Sequence, residues 1–218
     1  MRVLAGGAIV SPWASSPDEE TVVAPSHLVD EIPARNADGT VNAVVEIPAG
    51  TTAKFEVEPD SGELKWEYRE GVPRVVPFLG YPGNYGLIPS TLLPKSEGGD
   101  GYPLDVLVIG PAMGRAEVSR VRVIGVLRLL DEGEIDDKLI GVPLETTLPS
   151  PFTALHDIAD LERDYPTVLE ILKLWFLGYD GPGVTEFRGW GGPGEAMELL
   201  RQAEAAYKRG EGAATTHH

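Results

Sequence analysis

No cysteine occurs in the 218 residues, which excludes disulfides, zinc–thiolate centres and thiol nucleophiles. Histidine is almost as scarce. His217 and His218 end the chain, and His27 and His156 stand alone, without the spacing of an imidazole metal site. Positive charge is also short, with 18 Lys and Arg against 34 Asp and Glu and a formal net charge of −16. That balance argues against nucleic acid or an anionic membrane as a partner. It leaves room for an anionic substrate, because bound metal ions and a few local cations reverse the field inside one pocket. No apolar run approaches the roughly 20 residues of a membrane span. Met1-Arg2 followed by Val3 to Val10 is a faint echo of a secretory signal. A cytoplasmic location is therefore expected, with export to the periplasm as the alternative.

What is present is ordinary for a globular chain: 42% hydrophobic and 24% charged residues, enough for one well-packed domain. Residues 1–40 lack sustained periodicity and read as an N-terminal arm or extended wrapping segment. Residues 41–209 are expected to form the folded body, and 210–218 a disordered tail. Val41 to Ile47 reads as a strand, Ala53 to Glu58 as an alternating strand, and Leu64 to Tyr68 as its return after the turn Pro59-Asp60-Ser61-Gly62. A loop from Arg69 to Pro73 leads to Arg74-Val75-Val76, and residues 81–89 are too broken by Gly and Pro for a regular element. Further strands are expected at 104–109, 117–130 with a bend near Gly125, and 138–142. Short strands at hairpin spacing predict a mainly β, α+β fold built on an OB-like antiparallel barrel. Two helices follow. One starts near Pro166 and ends at Gly178, with Val168, Leu169, Ile171, Leu172, Trp175 and Phe176 as its apolar face; the other runs from about Pro193 to Lys208, with Met197, Leu200 and Tyr207 inward.

The chemistry concentrates in two acidic stretches. Gly98-Gly99-Asp100-Gly101-Tyr102-Pro103-Leu104-Asp105 sets two carboxylates five positions apart on a turn that enters the apolar run Val106 to Ile109. Asp131-Glu132-Gly133-Glu134-Ile135-Asp136-Asp137-Lys138 repeats that arrangement between two apolar runs. Such oxygen donors suit a hard cation such as Mg²⁺, and two facing clusters would hold more than one ion.

Five stretches in order then resemble one family, the soluble barrel-type (family I) inorganic pyrophosphatases. They are Val45 to Gly50, Lys54-Phe55-Glu56, Gly80 to Gly86, Asp100 to Leu107, and Asp131 with Asp136 and Lys138. The resemblance covers about residues 41–190. It implies hydrolysis of inorganic diphosphate to two phosphates, several Mg²⁺ ions per site with Mn²⁺ as a substitute, and a homo-oligomer, either hexamer or dimer. Carried over residue by residue, Asp100, Asp105 and Asp136 would be the principal metal ligands, with Asp131 and Glu46 completing the acidic shell. Glu56 would orient the attacking water. Lys54, Lys138 and an arginine, Arg74 or alternatively Arg69, would grip phosphate oxygens. Tyr85 would hydrogen-bond substrate or leaving group, Tyr81 would line the pocket, and Tyr179 would close it.

Two positions depart from the family pattern. A third aspartate, two residues after the first, takes the water's proton in that family, and Tyr102 stands there here. A lysine that helps bind phosphate commonly follows the late tyrosine, and here that position is Asp180. These departures raise the alternative of a weakened or inactive relative that binds Mg²⁺ and phosphate without turnover. A phosphatase for organic diphosphates is a further alternative. An oligonucleotide-binding barrel is disfavoured by the −16 charge.

Overall fold

A computed structural model describes residues 21, 22, 24 and 26–210. The Met1 to Val10 export reading and residues 211–218 of the expected tail lie outside the described residues. In chain order the strands are β1 (Thr21–Val22), β2 (Val41–Ile47), β3 (Phe55–Val57), β4 (Leu64–Trp66), β5 (Tyr68–Arg69), β6 (Val72–Pro73), β7 (Asn84–Leu87), β8 (Asp105–Val108), β9 (Val118–Asp131), β10 (Glu134–Ile135) and β11 (Lys138–Pro143). Helices α1 (Ile158–Asp164) and α2 (Pro166–Gly178), strand β12 (Thr185–Gly191) and helix α3 (Pro193–Arg209) complete the chain.

The main sheet closes on itself. β2 pairs with β7, β7 with β8, β8 with β11, β11 with β9, and β9 returns to β2. Closure removes the exposed edges of an open sheet. The mainly β fold with flanking helices is as the sequence predicts, but the ring is mixed rather than antiparallel. β11 inserts between β8 and β9 and runs parallel to β8, from Lys138 opposite Asp105 to Gly141 opposite Val108. That parallel pair brings two members of the separate acidic stretches side by side.

β2 is buried along its whole length because it is hydrogen-bonded on both sides and both of its faces pack into core clusters. One set of ring side chains (Ile47, Leu107, Ile124, Leu127, Ile140) packs with Leu161 of α1 and Leu172, Trp175 and Phe176 of α2. The other (Val41, Val45, Val106, Val123, Leu139) packs with Ala196, Leu200 and Ala203 of α3. Fully burying one such aliphatic side chain contributes roughly 1.5–3 kcal/mol. β9 bends at an irregularity opposite Ile140 and Gly141, where an added Cβ on Gly125 would lie 2.7 Å from the Gly191 carbonyl oxygen.

Several elements differ from the sequence reading. Asn84–Leu87, read as too broken, is the central strand β7. Its glycine serves packing: a Cβ on Gly86 would sit 1.8 Å from the Val44 carbonyl oxygen. Asn84 serves cross-links, accepting from the backbone N–H of Ala49 (3.2 Å) and Met113 (2.8 Å) and donating to Pro111 O (2.9 Å). The loop from Arg69 to Pro73 is a small hairpin, β5–β6. There are three α-helices among the described residues, not two. α1 carries an Asp157/Asp160 capping box but spans only seven residues, too few to show a period. β12 has two glycines and a register shift, which hides its alternation. In α2, Leu169, Leu172, Trp175 and Phe176 face the core, whereas Ile171 is 52% exposed, contrary to its expected place on the apolar face.

Candidate active site

A cavity of about 500 Å³ opens at one end of the ring. β2 contributes Glu46, the strand at β3 Lys54 and Glu56, β7 Tyr85, the turn before β8 Asp100 and Tyr102, and β8 Asp105. The β9–β10 turn adds Asp131 and Glu132, the approach to β11 adds Asp136 and Lys138, and the end of α2 adds Tyr179 and Asp180. Arg69 and Arg74 close the wall. Every residue expected at the site lines this cavity except Tyr81. It is 3% exposed and packs between Tyr85 and Trp175, with ring centroids 5.2 and 4.3 Å away, so it supports the floor instead of lining it.

The centre is Lys138, 2% exposed. Its ammonium donates to Asp105 Oδ2 and Asp136 Oδ1, both at 2.7 Å, and the Tyr85 hydroxyl donates to the same Asp105 oxygen at 2.6 Å. Burial alone would lower the lysine's pKa; the two carboxylates hold it well above its ordinary value. Burial raises the Tyr85 phenol, and the neighbouring Asp105 and Asp136 charges add to that. Tyr85 therefore stays a neutral donor.

The acids around this centre are short of positive charge. Eight carboxyl groups line the cavity against four cations, Lys54, Arg69, Arg74 and Lys138. Burial pushes Glu46 up to about 8 although its carboxylate accepts the Val57 N–H at 2.7 Å; the Asp105 and Glu56 charges push the same way. Asp100 rises to about 6, again chiefly through burial, while Oδ1 accepts the Tyr102 N–H at 2.8 Å. Asp136 is raised too, by burial first, with Lys138 opposing. Asp131 accepts the Thr185 hydroxyl at 3.3 Å.

Such an all-oxygen set, desolvated and under-neutralised, fits hard divalent cations and not zinc-type donors. Among the described residues no three acid or imidazole groups are gathered closely enough to hold one metal ion, and the Lys138 ammonium lies between Asp105 and Asp136. Each of those carboxylates still has a second oxygen that takes no part in the lysine contact.

At the rim, Lys54 Nζ meets Glu56 Oε1 at 2.5 Å. Arg74 is paired with Glu67 and lies 3.5 Å from Asp180. Tyr179 stacks on Trp175 with ring planes 7° apart, and burial first, with the Asp180 charge adding and Lys138 opposing, holds its phenol above its ordinary pKa. Tyr102 is half exposed, and burial raises its phenol first, with Glu56 and Asp100 adding to the shift. It stands at the mouth as a neutral group.

A family profile for inorganic pyrophosphatase matches residues 43–208. The chain belongs to that family. An inorganic pyrophosphatase of Schizosaccharomyces pombe is 35% identical over 195 residues, spanning 80% of this chain and 66% of the relative. One from Sulfolobus acidocaldarius is 36% identical over 78% of this chain and 93% of its own length. The crystal structure of the type I inorganic pyrophosphatase from Toxoplasma gondii superposes with a TM-score of 0.76 at 27% identity, over 84% of this chain and 87% of that one. The chain thus spans about two thirds of the S. pombe relative and nearly all of the archaeal one.

One residue of this pyrophosphatase-family cavity and one just behind its wall carry no role in the sequence reading. Glu132 lines the wall in the turn where its φ is +48°, and Glu67 pairs with Arg74 from outside the cavity. The Glu132-Gly133 turn was a usable signal for the first. Nothing in the sequence marks the second, since the contact exists only once the β5–β6 hairpin forms.

Proposed function

We propose that this chain hydrolyses inorganic diphosphate to two phosphates with several divalent ions, Mg²⁺ first and Mn²⁺ as a substitute. Its strongest support is the meeting of the acidic shell with Lys54, Arg74, Lys138 and Tyr85 in one cavity of a chain from the inorganic pyrophosphatase family. In this reading Asp100, Asp105, Asp136, Asp131 and Glu46 hold the metal ions, which supply charge neutralisation and activation of water. Lys54, Arg74 and Lys138 hold phosphate oxygens, with Arg69 as the alternative to Arg74. Tyr85 and Tyr179 are uncharged donors to substrate or leaving phosphate, which suits phenols held above their ordinary pKa.

Water oxygen bonds to one phosphorus, the bridging P–O bond breaks, and its electron pair leaves with the second phosphate. Glu56 orients the water and accepts its proton, since Tyr102 is a neutral phenol. Apolar side chains left exposed beside Trp175 (Phe78 42%, Leu79 72%) and on α2 (Ile171 52%, Leu174 60%) support a homo-oligomer, dimer or hexamer.

The test is phosphate release from diphosphate with and without Mg²⁺, by the protein and its Asp105→Ala and Tyr102→Asp variants. Mg²⁺-dependent release that Asp105→Ala abolishes and Tyr102→Asp increases is the expected outcome. Release only from Tyr102→Asp would instead assign the natural chain to metal and phosphate binding without turnover. Full activity in Asp105→Ala would sink the metal assignment.

A further inference from the structure

Arg74 enters the cavity from an unusual construction. Tyr68–Arg69 folds back on Val72–Pro73 through Glu70-Gly71, whose φ values of +54° and +78° are those of a tight two-residue hairpin turn. The hairpin closes on itself where the Arg74 N–H donates to the Glu67 carbonyl at 2.7 Å. Glu67 and Arg74, seven positions apart, thereby become neighbours. Both are also tied to Lys54: the Glu67 N–H donates to Lys54 O (2.9 Å), and the Lys54 N–H donates to Arg74 O (3.0 Å). The Trp66 indole N–H adds a bond to the same Arg74 carbonyl at 2.8 Å. Residues 68–73 are therefore an excursion, and Arg74 continues the ladder where Glu67 leaves it.

The side chains repeat the pairing of the backbones. Arg74 Nη1 donates to Glu67 Oε1 at 3.0 Å and Oε2 at 2.8 Å, with the two side chains 19% and 23% exposed. On the other side of the guanidinium, Asp180 Oδ1 is 3.5 Å from Nη2, a looser contact. Arg74 and Asp180 line the cavity, and Glu67 does not. One arginine nitrogen is thus committed to Glu67 while the guanidinium keeps further donors on Nε and Nη2. An arginine side chain loses about 2 kcal/mol of rotamer freedom when it is held in place. A partner that orders it before the ligand arrives removes that cost from binding.

We infer that Glu67 is the positioning residue for Arg74, fixing its guanidinium in the cavity wall that Lys54 also lines so that the two cations meet one phosphate group together. This rests on the proposed function, in which Arg74 holds a phosphate oxygen. Glu67 acts through Arg74 and touches no ligand itself.

A double-variant cycle tests it: Glu67→Gln, Arg74→Ala and the pair together. Two quantities are read, KM and kcat for diphosphate in Mg²⁺, and the calorimetric Kd for imidodiphosphate in Mg²⁺, which needs no turnover. Glu67→Gln keeps the side chain's shape, and the loss of a charge-assisted pair should raise KM and Kd about tenfold while kcat changes less than twofold. In the Arg74→Ala background the same substitution should change neither. Glu67→Asp should restore part of the affinity. An unchanged Kd in Glu67→Gln, or losses that multiply in the double variant, would overturn the inference while leaving Arg74's role intact. Unchanged affinity in Arg74→Ala alone would remove Arg74 from the proposed function and the inference with it.

Discussion

Replacing Lys138 by Met examines the electrostatic centre of this protein. The ammonium is 2.7 Å from both Asp105 and Asp136, and its side chain is 3% exposed against 22% and 21% for the two carboxylates. Removing one partner of a buried ion pair costs about 3–5 kcal/mol, because the remaining charge is left uncompensated. Both acids keep some access to water, so the lower end applies, about 3 kcal/mol. For a domain of this size 1 kcal/mol moves Tm by roughly 2–4 °C, so a fall of about 6–12 °C is expected in metal-free protein. The deficit should narrow at low pH, where the two acids take up protons. It should also narrow in millimolar Mg²⁺, because the cation now neutralises charge that lysine no longer does. Scanning calorimetry in EDTA and in Mg²⁺, at pH 5 and pH 8, reads all of this. A variant within 2 °C of the parent in EDTA at pH 8 would refute the claim that Lys138 neutralises this pair.

Two further outcomes can be measured. Glu46 is raised from 4.5 to about 8, so the folded chain keeps a proton that the unfolded chain has released. Its stabilising contribution is full below the unfolded value and is lost as pH rises through the folded one; between pH 6 and 8 metal-free protein should lose about 2 kcal/mol. Urea titrations in EDTA should show that loss and show it flattened in Glu46→Gln; an identical slope in the variant would contradict the assignment. Gly86→Ala should lower stability by about 3 kcal/mol or more, since the new methyl would meet the Val44 carbonyl at 1.8 Å. A Tm equal to the parent's would show that β2 and β7 separate freely.

Much of the site was legible because its residues sit in short, local patterns. Asp100 and Asp105 flank one turn, Lys54 and Glu56 alternate on one strand face, and Asp136 and Lys138 do the same. Each pair reads from sequence because strand alternation fixes its side. α2 was readable end to end, with Pro166 at its first position and Gly178 at its last. β7 was not, since the glycine and asparagine that make it look broken serve contacts with β2 and the 111–113 segment.

The sequence by itself determined the chemistry available: carboxylates, a few cations and phenols, no thiol, and strands enough to close a ring. Only the tertiary structure decided which groups meet. The parallel pairing of β8 with β11 puts Lys138 opposite Asp105, thirty-three positions away. The β5–β6 hairpin puts Arg74 on Glu67 and beside Lys54. The end of α2 delivers Asp180 to the same guanidinium. Those contacts depend on long-range register and on burial, and local patterns carry no information about either. The raised acids at Glu46, Asp100 and Asp136 have the same origin, since desolvation exists only once the ring has closed around them.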